Sequence, residues 1–153
     1  MRMAIIKLRS HLIIRDSVAF SILFFIFCVS ASAQKCFDYE PTGPAVSFAG
    51  TLRSQIFAGP PNYESIKRGD RKETAIILTL TKPACTNRDA YEDAEDDIRE
   101  MQLVIMHEAD WKTVRRLMGK HAIVTGTLFH ANTGHHRTRV LISVNSIREA
   151  KTR

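Results

Sequence analysis

Two short segments hold most of the side chains that could do chemistry. The first is G-P-P-N-Y-E-S-I-K-R-G-D, residues 59–70, with Asn62, Tyr63, Glu64 and Asp70 among its breakers. The second is F-H-A-N-T-G-H-H-R-T, residues 129–138, with His130, His135, His136 and Arg137. If Gly126 opposes Val140 and Val124 opposes Ile142 across this second turn, the same register sets His130 against His136. Directly opposed residues have Cβ atoms about 4.5–5.5 Å apart, near enough for two imidazoles to share a divalent metal. His135, Glu64 or Asp70 would supply a third ligand. The structural alternative is that His130 and His136 only hydrogen-bond the turn, with Gly134 present for a positive φ. No strong metal-ligand spacing accompanies the histidines, so no cofactor is expected.

Catalysis has less support than binding. Glu64 or Asp70 could act as a general base beside a metal or a histidine. No nucleophile stands out, because no serine lies in a G-x-S-x-G elbow and the two downstream cysteines pair most simply with each other. Asn62, Tyr63 and Arg137 suit sugar or peptide contacts through stacking and hydrogen bonds. Their alternative use is turn chemistry, since asparagine beside proline is a common turn former.

Five strands and one helix must position these segments. Val46–Phe57 reads as a strand with a bend at Gly50, and Glu73–Thr81 as a second strand stopped by Pro83. Thr86–Glu100 is polar and acidic. It matches no calcium-loop spacing, so it reads as a solvated connector. Met101–Met106 is the third strand. Asp110–Met118 is a short helix with Asp110 as N-cap, Trp111, Val114, Leu117 and Met118 on one face, and Gly119 as its stop. That spacing makes Trp111 a core residue rather than a ligand platform. His121–His130 and Thr138–Ile147 are the last two strands. The shared A-G-T-L and T-G-T-L strings of the first and fourth strands read as common bend chemistry.

Strand, strand, strand, short helix, strand, strand is the order of an OB-fold-like, all-β, five-stranded Greek-key barrel. A small β-sandwich is the alternative, but it leaves the helix position unexplained. In an OB-fold the 59–70 loop and the 130–137 turn flank the face where oligosaccharides and oligonucleotides dock.

The 153 residues allow one domain plus a targeting segment. Residues 1–33 read as a cleavable signal peptide: Arg2, Lys7, Arg9 and Arg15 lead, Val18–Val29 is apolar, and Ser30-Ala31-Ser32-Ala33 is a cleavage pattern. An apolar run of about 12 is short of the roughly 20 a spanning helix needs, so no stable membrane anchor is expected after cleavage. Residues 34–153 form the single domain. The leader takes four of 22 basic and one of 16 acidic residues, so the net charge falls from +6 to +3. A nucleic-acid partner loses its main support with that fall. Cys28 leaves with the leader, and Cys36 and Cys85 are expected to form a disulfide in an oxidising compartment.

The 59–70 loop, the Gln102-Leu103-Val104 strand and the F-H-A-x-T-G-H-H turn resemble the bacterial domain of unknown function 4431 family. The likeness runs from about Tyr39 to Ile147, and the G-P-P-N-Y-E-S-I and T-G-H-H strings carry it. It implies a small exported bacterial protein and no particular activity. Members often carry further histidines in the turn, where this chain has Asn132 and Arg137. The expectation is therefore a periplasmic or secreted, non-catalytic binding module. Its partner would be an envelope glycan or an exported protein, the latter for instance one that it inhibits. The alternative is a metal-dependent cell-envelope hydrolase.

Overall fold

The computed structural model describes residues 35–40 and 43–151. The signal-peptide reading of residues 1–33 lies outside them. Among the described residues the elements are β1 (Val46–Ala58), β2 (Lys72–Ala84), β3 (Ile98–Val104), α1 (Glu108–Leu117), β4 (His121–His130) and β5 (Val140–Glu149), with a 3-10 turn at Ile66–Arg68. The strands close into a barrel in the order β1-β2-β3-β5-β4. β1 pairs antiparallel with both β2 and β4, and β3 pairs parallel with β5. This is the expected OB-fold-like arrangement. Closure on β1 excludes the sandwich, which would leave two open sheets.

Alternation along β1 and β4 turns Phe48, Leu52, Val124 and Leu128 inward, onto Leu78, Met101, Ile142 and Val144 of the other strands. The helix lies between β3 and β4 in the chain, with Val114 and Leu117 fully buried in the same core and Trp111 packed against it. It starts two residues earlier than the sequence indicates. His107 is the N-cap without a side-chain bond, and Asp110 sits inside the first turn, where its charge favours the helix dipole. Gly119, at φ 76°, stops the helix as expected.

Pro83 does not end the second strand, which runs on to Ala84. β2 leaves the β3 register between Thr79 and Ala84, and a residue that cannot donate is accommodated in that gap. The bend shared by Gly50 and Gly126 has a steric cause. A Cβ at Gly50 would lie 2.3 Å from the Thr79 carbonyl oxygen, and one at Gly126 would lie 2.0 Å from that of Ser143. Neighbouring strands cross too closely there for any side chain.

The segment before β1 seals the barrel. Cys36 and Cys85 form a disulfide, Phe37 bridges to Thr86, and Tyr39 bridges to Leu128. Tyr39 is buried, and its hydroxyl accepts a hydrogen bond from Thr86 Oγ1 at 2.7 Å. Burial first, and then nearby carboxylates, raise the pKa of this phenol despite the Thr86 bond. Among the described residues no helix is long and apolar enough to cross a membrane.

Candidate functional site

The 59–70 loop is built around one carboxylate. Asp70 is buried and accepts four hydrogen bonds, from the backbone N–H groups of Asn62, Glu64 and Ser65 and from Asn62 Nδ2, at 2.7–3.2 Å. The Ser65 bond, followed by the others, holds the Asp70 carboxyl below the usual aspartate range. With its oxygens directed at these donors, Asp70 shapes the loop from within. Glu64 is exposed and pairs with Arg68 at 2.7 Å, and Asn62 is exposed beside it.

Tyr63 is half-buried with φ 60°, a left-handed conformation that is uncommon outside glycine and asparagine. That backbone places its ring over the β4–β5 turn. A Cβ on Gly134 would meet three Tyr63 ring carbons at 3.1 Å. Gly134 is thus needed for the close approach of Tyr63. It is not among the residues with positive φ, contrary to the expectation for this glycine. The Tyr63 hydroxyl lies 3.1 Å from His135 Nε2, the two rings meet edge to face, and the Arg137 guanidinium lies 5.4 Å from the Tyr63 ring centroid.

Glu73, at the start of β2, ties the turn down. His135 Nδ1 lies 2.7 Å from one of its oxygens, and Arg137 donates to the other at 2.8 Å. Burial pushes the Glu73 carboxyl up, but the His135 hydrogen bond and the Arg137 charge outweigh it, so the group sits below the usual glutamate range. The Arg137 side chain is only 8% exposed, lies between the Phe57 and Tyr63 rings, and keeps a buried Nε without a hydrogen-bond partner. Gln102 of β3 grips the turn backbone from the other side. Its Oε1 accepts from Arg137 N at 2.6 Å, and its Nε2 donates to His135 O at 3.2 Å.

The two segments singled out in the sequence therefore meet at one rim, joined by Tyr63, His135 and Arg137. His136 belongs to the same turn but packs on Phe129, and its Nδ1 accepts from Asn132 N at 3.0 Å. Burial and then the neighbouring His135 lower its pKa. His130 does not oppose His136. The register pairs Gly126 with Val144 and His130 with Val140, because the connection over residues 131–139 is longer than a tight turn and β5 begins only at Val140. His130 instead lies between Glu92 and Glu95, at 3.2 Å from each. Among the described residues, no group of three or more candidate ligands includes His130 or His136. The one such group joins Asp96 to the bridged Cys36 and Cys85, whose sulfurs are already spent on each other.

Glu73, Gln102, Glu92 and Glu95 escaped the sequence reading as site residues. Glu73 and Gln102 lie 62 and 33 residues from His135, and no local pattern links them. Glu92 and Glu95 stand in the acidic run taken for a solvated connector. Asp93, Asp96 and Asp97 are exposed there, but the Glu95 side chain is 12% exposed and also pairs with Arg139.

Glu73, His135 and Tyr63 form a carboxylate–imidazole–hydroxyl chain. A neutral imidazole donating Nδ1–H to Glu73 leaves Nε2 to accept the phenol proton, the geometry by which a base activates a hydroxyl. Here Arg137 already compensates the carboxylate and His135 is exposed, so the chain sits in water rather than in the dry cleft that such chemistry exploits. Its evident effect is to hold loop and turn together. No curated protein matches the chain. Residues 100–148, from β3 through the turn to β5, match the family described as a domain of unknown function (DUF4431); the match takes in the Gln102-Leu103-Val104 strand and the T-G-H-H turn and does not reach the 59–70 loop.

Proposed function

We propose that this is an exported, non-catalytic binding module, periplasmic or secreted, whose rim takes an envelope glycan or an exported protein partner, the latter for instance to inhibit it. One observation carries the reading: Tyr63 and His135, 72 residues apart, lock the β1–β2 loop onto the β4–β5 turn before any ligand arrives. A surface ordered in advance loses less entropy on binding, which raises affinity without new contacts. Asn62 and Glu64 stand exposed on that surface beside the half-buried Tyr63 ring, a mixture of aromatic face and polar groups suited to sugars and peptides. The Cys36–Cys85 bond belongs to the chemistry of oxidising compartments, in keeping with export.

The test has a glycan arm and a protein arm. Mature protein is sedimented with purified cell-wall sacculi, and a photo-crosslinking residue at position 62 is activated in intact cells. Co-sedimentation that weakens in Asn62→Ala, or one discrete cross-linked protein absent when the crosslinker sits at position 112 on α1, is the expected result. A protein that neither sediments nor cross-links specifically overturns the reading.

A further inference from the structure

A second site lies on the other flank of the β4–β5 turn. A cavity of about 420 Å³ opens there, lined by Tyr39, Tyr91 and Phe129, by Glu40, Asp89 and Glu92, and by His130 and Asn132. We propose that this pocket binds an organic cation, an alkyl ammonium or a guanidinium group. The proposal does not depend on the rim being a binding surface.

The lining carries the argument. Three of its residues are aromatic and three are carboxylates, and no lysine or arginine contributes to it. In a domain whose mature charge is positive, such a wall runs against the overall balance. Aromatic faces attract cations, at roughly 0.5–2 kcal/mol depending on desolvation. Carboxylates beside them supply charge-assisted hydrogen bonds to the same group. An anion would meet three like charges.

The parts are held in place by their neighbours. Asp89 Oδ1 accepts from the backbone N–H groups of Tyr91 and Glu92, fixing a tight turn that carries both residues to the mouth of the pocket. Tyr91 is 90% exposed there, a large ring left in water at the entrance. Tyr39, 2% exposed, lies among the walls with its ring edge-to-face to His130 at 6.2 Å. Glu92 lies against His130 Nδ1. Of the nearby arginines, Arg88 is paired with Asp93 and Arg139 with Glu95, each at 2.6 Å. The volume falls within the usual range for small-ligand pockets, which is roughly 300–1,000 Å³.

The probes are cadaverine, agmatine, a blocked Gly-Lys-Gly peptide and, as a neutral match, 1-pentanol. Each is titrated into the purified mature protein, with amide NMR shifts read at residues 89–92 and 130–132. Saturable shifts from the cations and none from 1-pentanol are expected, with at least fivefold weaker binding in Glu92→Gln and in Tyr91→Ala. Tyr91 is too exposed for its loss to unfold the domain, so that variant stays informative. Binding by cadaverine or agmatine marks a free amine as the source, and binding by the peptide alone marks a basic side chain; both support cation chemistry. Equal shifts from 1-pentanol, or unchanged affinity in both variants, overturn it.

Discussion

The Tyr63 hydroxyl lies 3.1 Å from His135 Nε2, and through that contact the β1–β2 loop and the β4–β5 turn share one surface. The contact is the visible part of a deeper stack. Beneath it His135 reaches Glu73, and Arg137 lies between Glu73 and the Tyr63 ring. Phenol, imidazole, carboxylate and guanidinium are therefore consecutive links, and each can be removed separately.

Tyr63→Phe removes one hydrogen bond and keeps the ring on Gly134. A net cost of about 1 kcal/mol is expected, with faster amide exchange confined to residues 134–136. Gly134→Ala should do more, because its Cβ would sit 3.1 Å from the ring and force loop and turn apart. Exchange rates across both 59–70 and 131–139 should rise in that variant. If Gly134→Ala left the loop as protected as wild type, the two segments would not be coupled through the Tyr63 ring.

Gln102 offers a second handle, from the strand side. Its amide pairs with the backbone of both His135 and Arg137, so Gln102→Ala leaves one donor and one acceptor of the turn to water. A loss of about 1–2 kcal/mol in denaturant unfolding follows from two such bonds. The slope of the unfolding transition should be unchanged, because the barrel core is not touched.

The barrel order was legible because each strand is rich in strand formers and bounded by strong breakers, and β1 and β4 alternate as well. β4 runs from His121 to His130 as read from sequence, and the helix falls where an OB-fold places it. Meeting of the two loops followed from that order alone. The side-chain network did not, since Glu73 is a single acid at the start of an apolar strand and its partners lie 62 and 64 residues away. The His130–His136 pairing failed for a different reason. The connection from β4 to β5 takes up residues 131–139, so Val140 rather than His136 faces His130, and nothing in that polar string announces how long the turn is. Glu95 was misjudged because its neighbours Asp96 and Asp97 are solvated, and a charge run hides which of its members turns inward.

His136 makes the turn sensitive to mild acid. Its Nδ1 accepts the Asn132 N–H, so that nitrogen must be unprotonated, and burial together with His135 lowers the pKa. A folded-state pKa below the unfolded value of about 6.5 gives stability that is complete above that pH and is lost as pH falls through the folded value. Melting temperature should drop more between pH 7.5 and 5 in the wild type than in His136→Gln. Parallel pH curves for the two proteins would show that His136 does not supply the dependence.

The disulfide spans 49 residues and anchors the segment that carries Tyr39 into the core. In the chain-entropy account a loop of that length is worth about 4 kcal/mol. Cys85→Ser should lower stability by an amount of that order in thermal or denaturant unfolding. Wild-type protein treated with reductant should fall to the same level, and a reductant-insensitive melting curve would contradict the bridge.

Arg137 and Glu73 give the sharpest test of what holds the rim. The arginine side chain is 8% exposed and the glutamate 28%, so neither is fully screened by water. Removing one partner leaves the other charge partly buried and uncompensated, which costs far more than the net worth of the pair. Arg137→Met, which keeps the apolar stem between the Phe57 and Tyr63 rings, is therefore expected to cost about 3 kcal/mol. Glu73→Gln should cost a similar amount, because it strands a guanidinium whose Nε already lacks a partner. The double variant removes both charges, so its loss should fall short of the sum by about 0.5–3 kcal/mol, the range for residues in one network. Denaturant unfolding of the four proteins closes the cycle. Additive losses would mean that Arg137 acts through stacking on Phe57 and Tyr63 alone, and that the rim is held by rings rather than by charge.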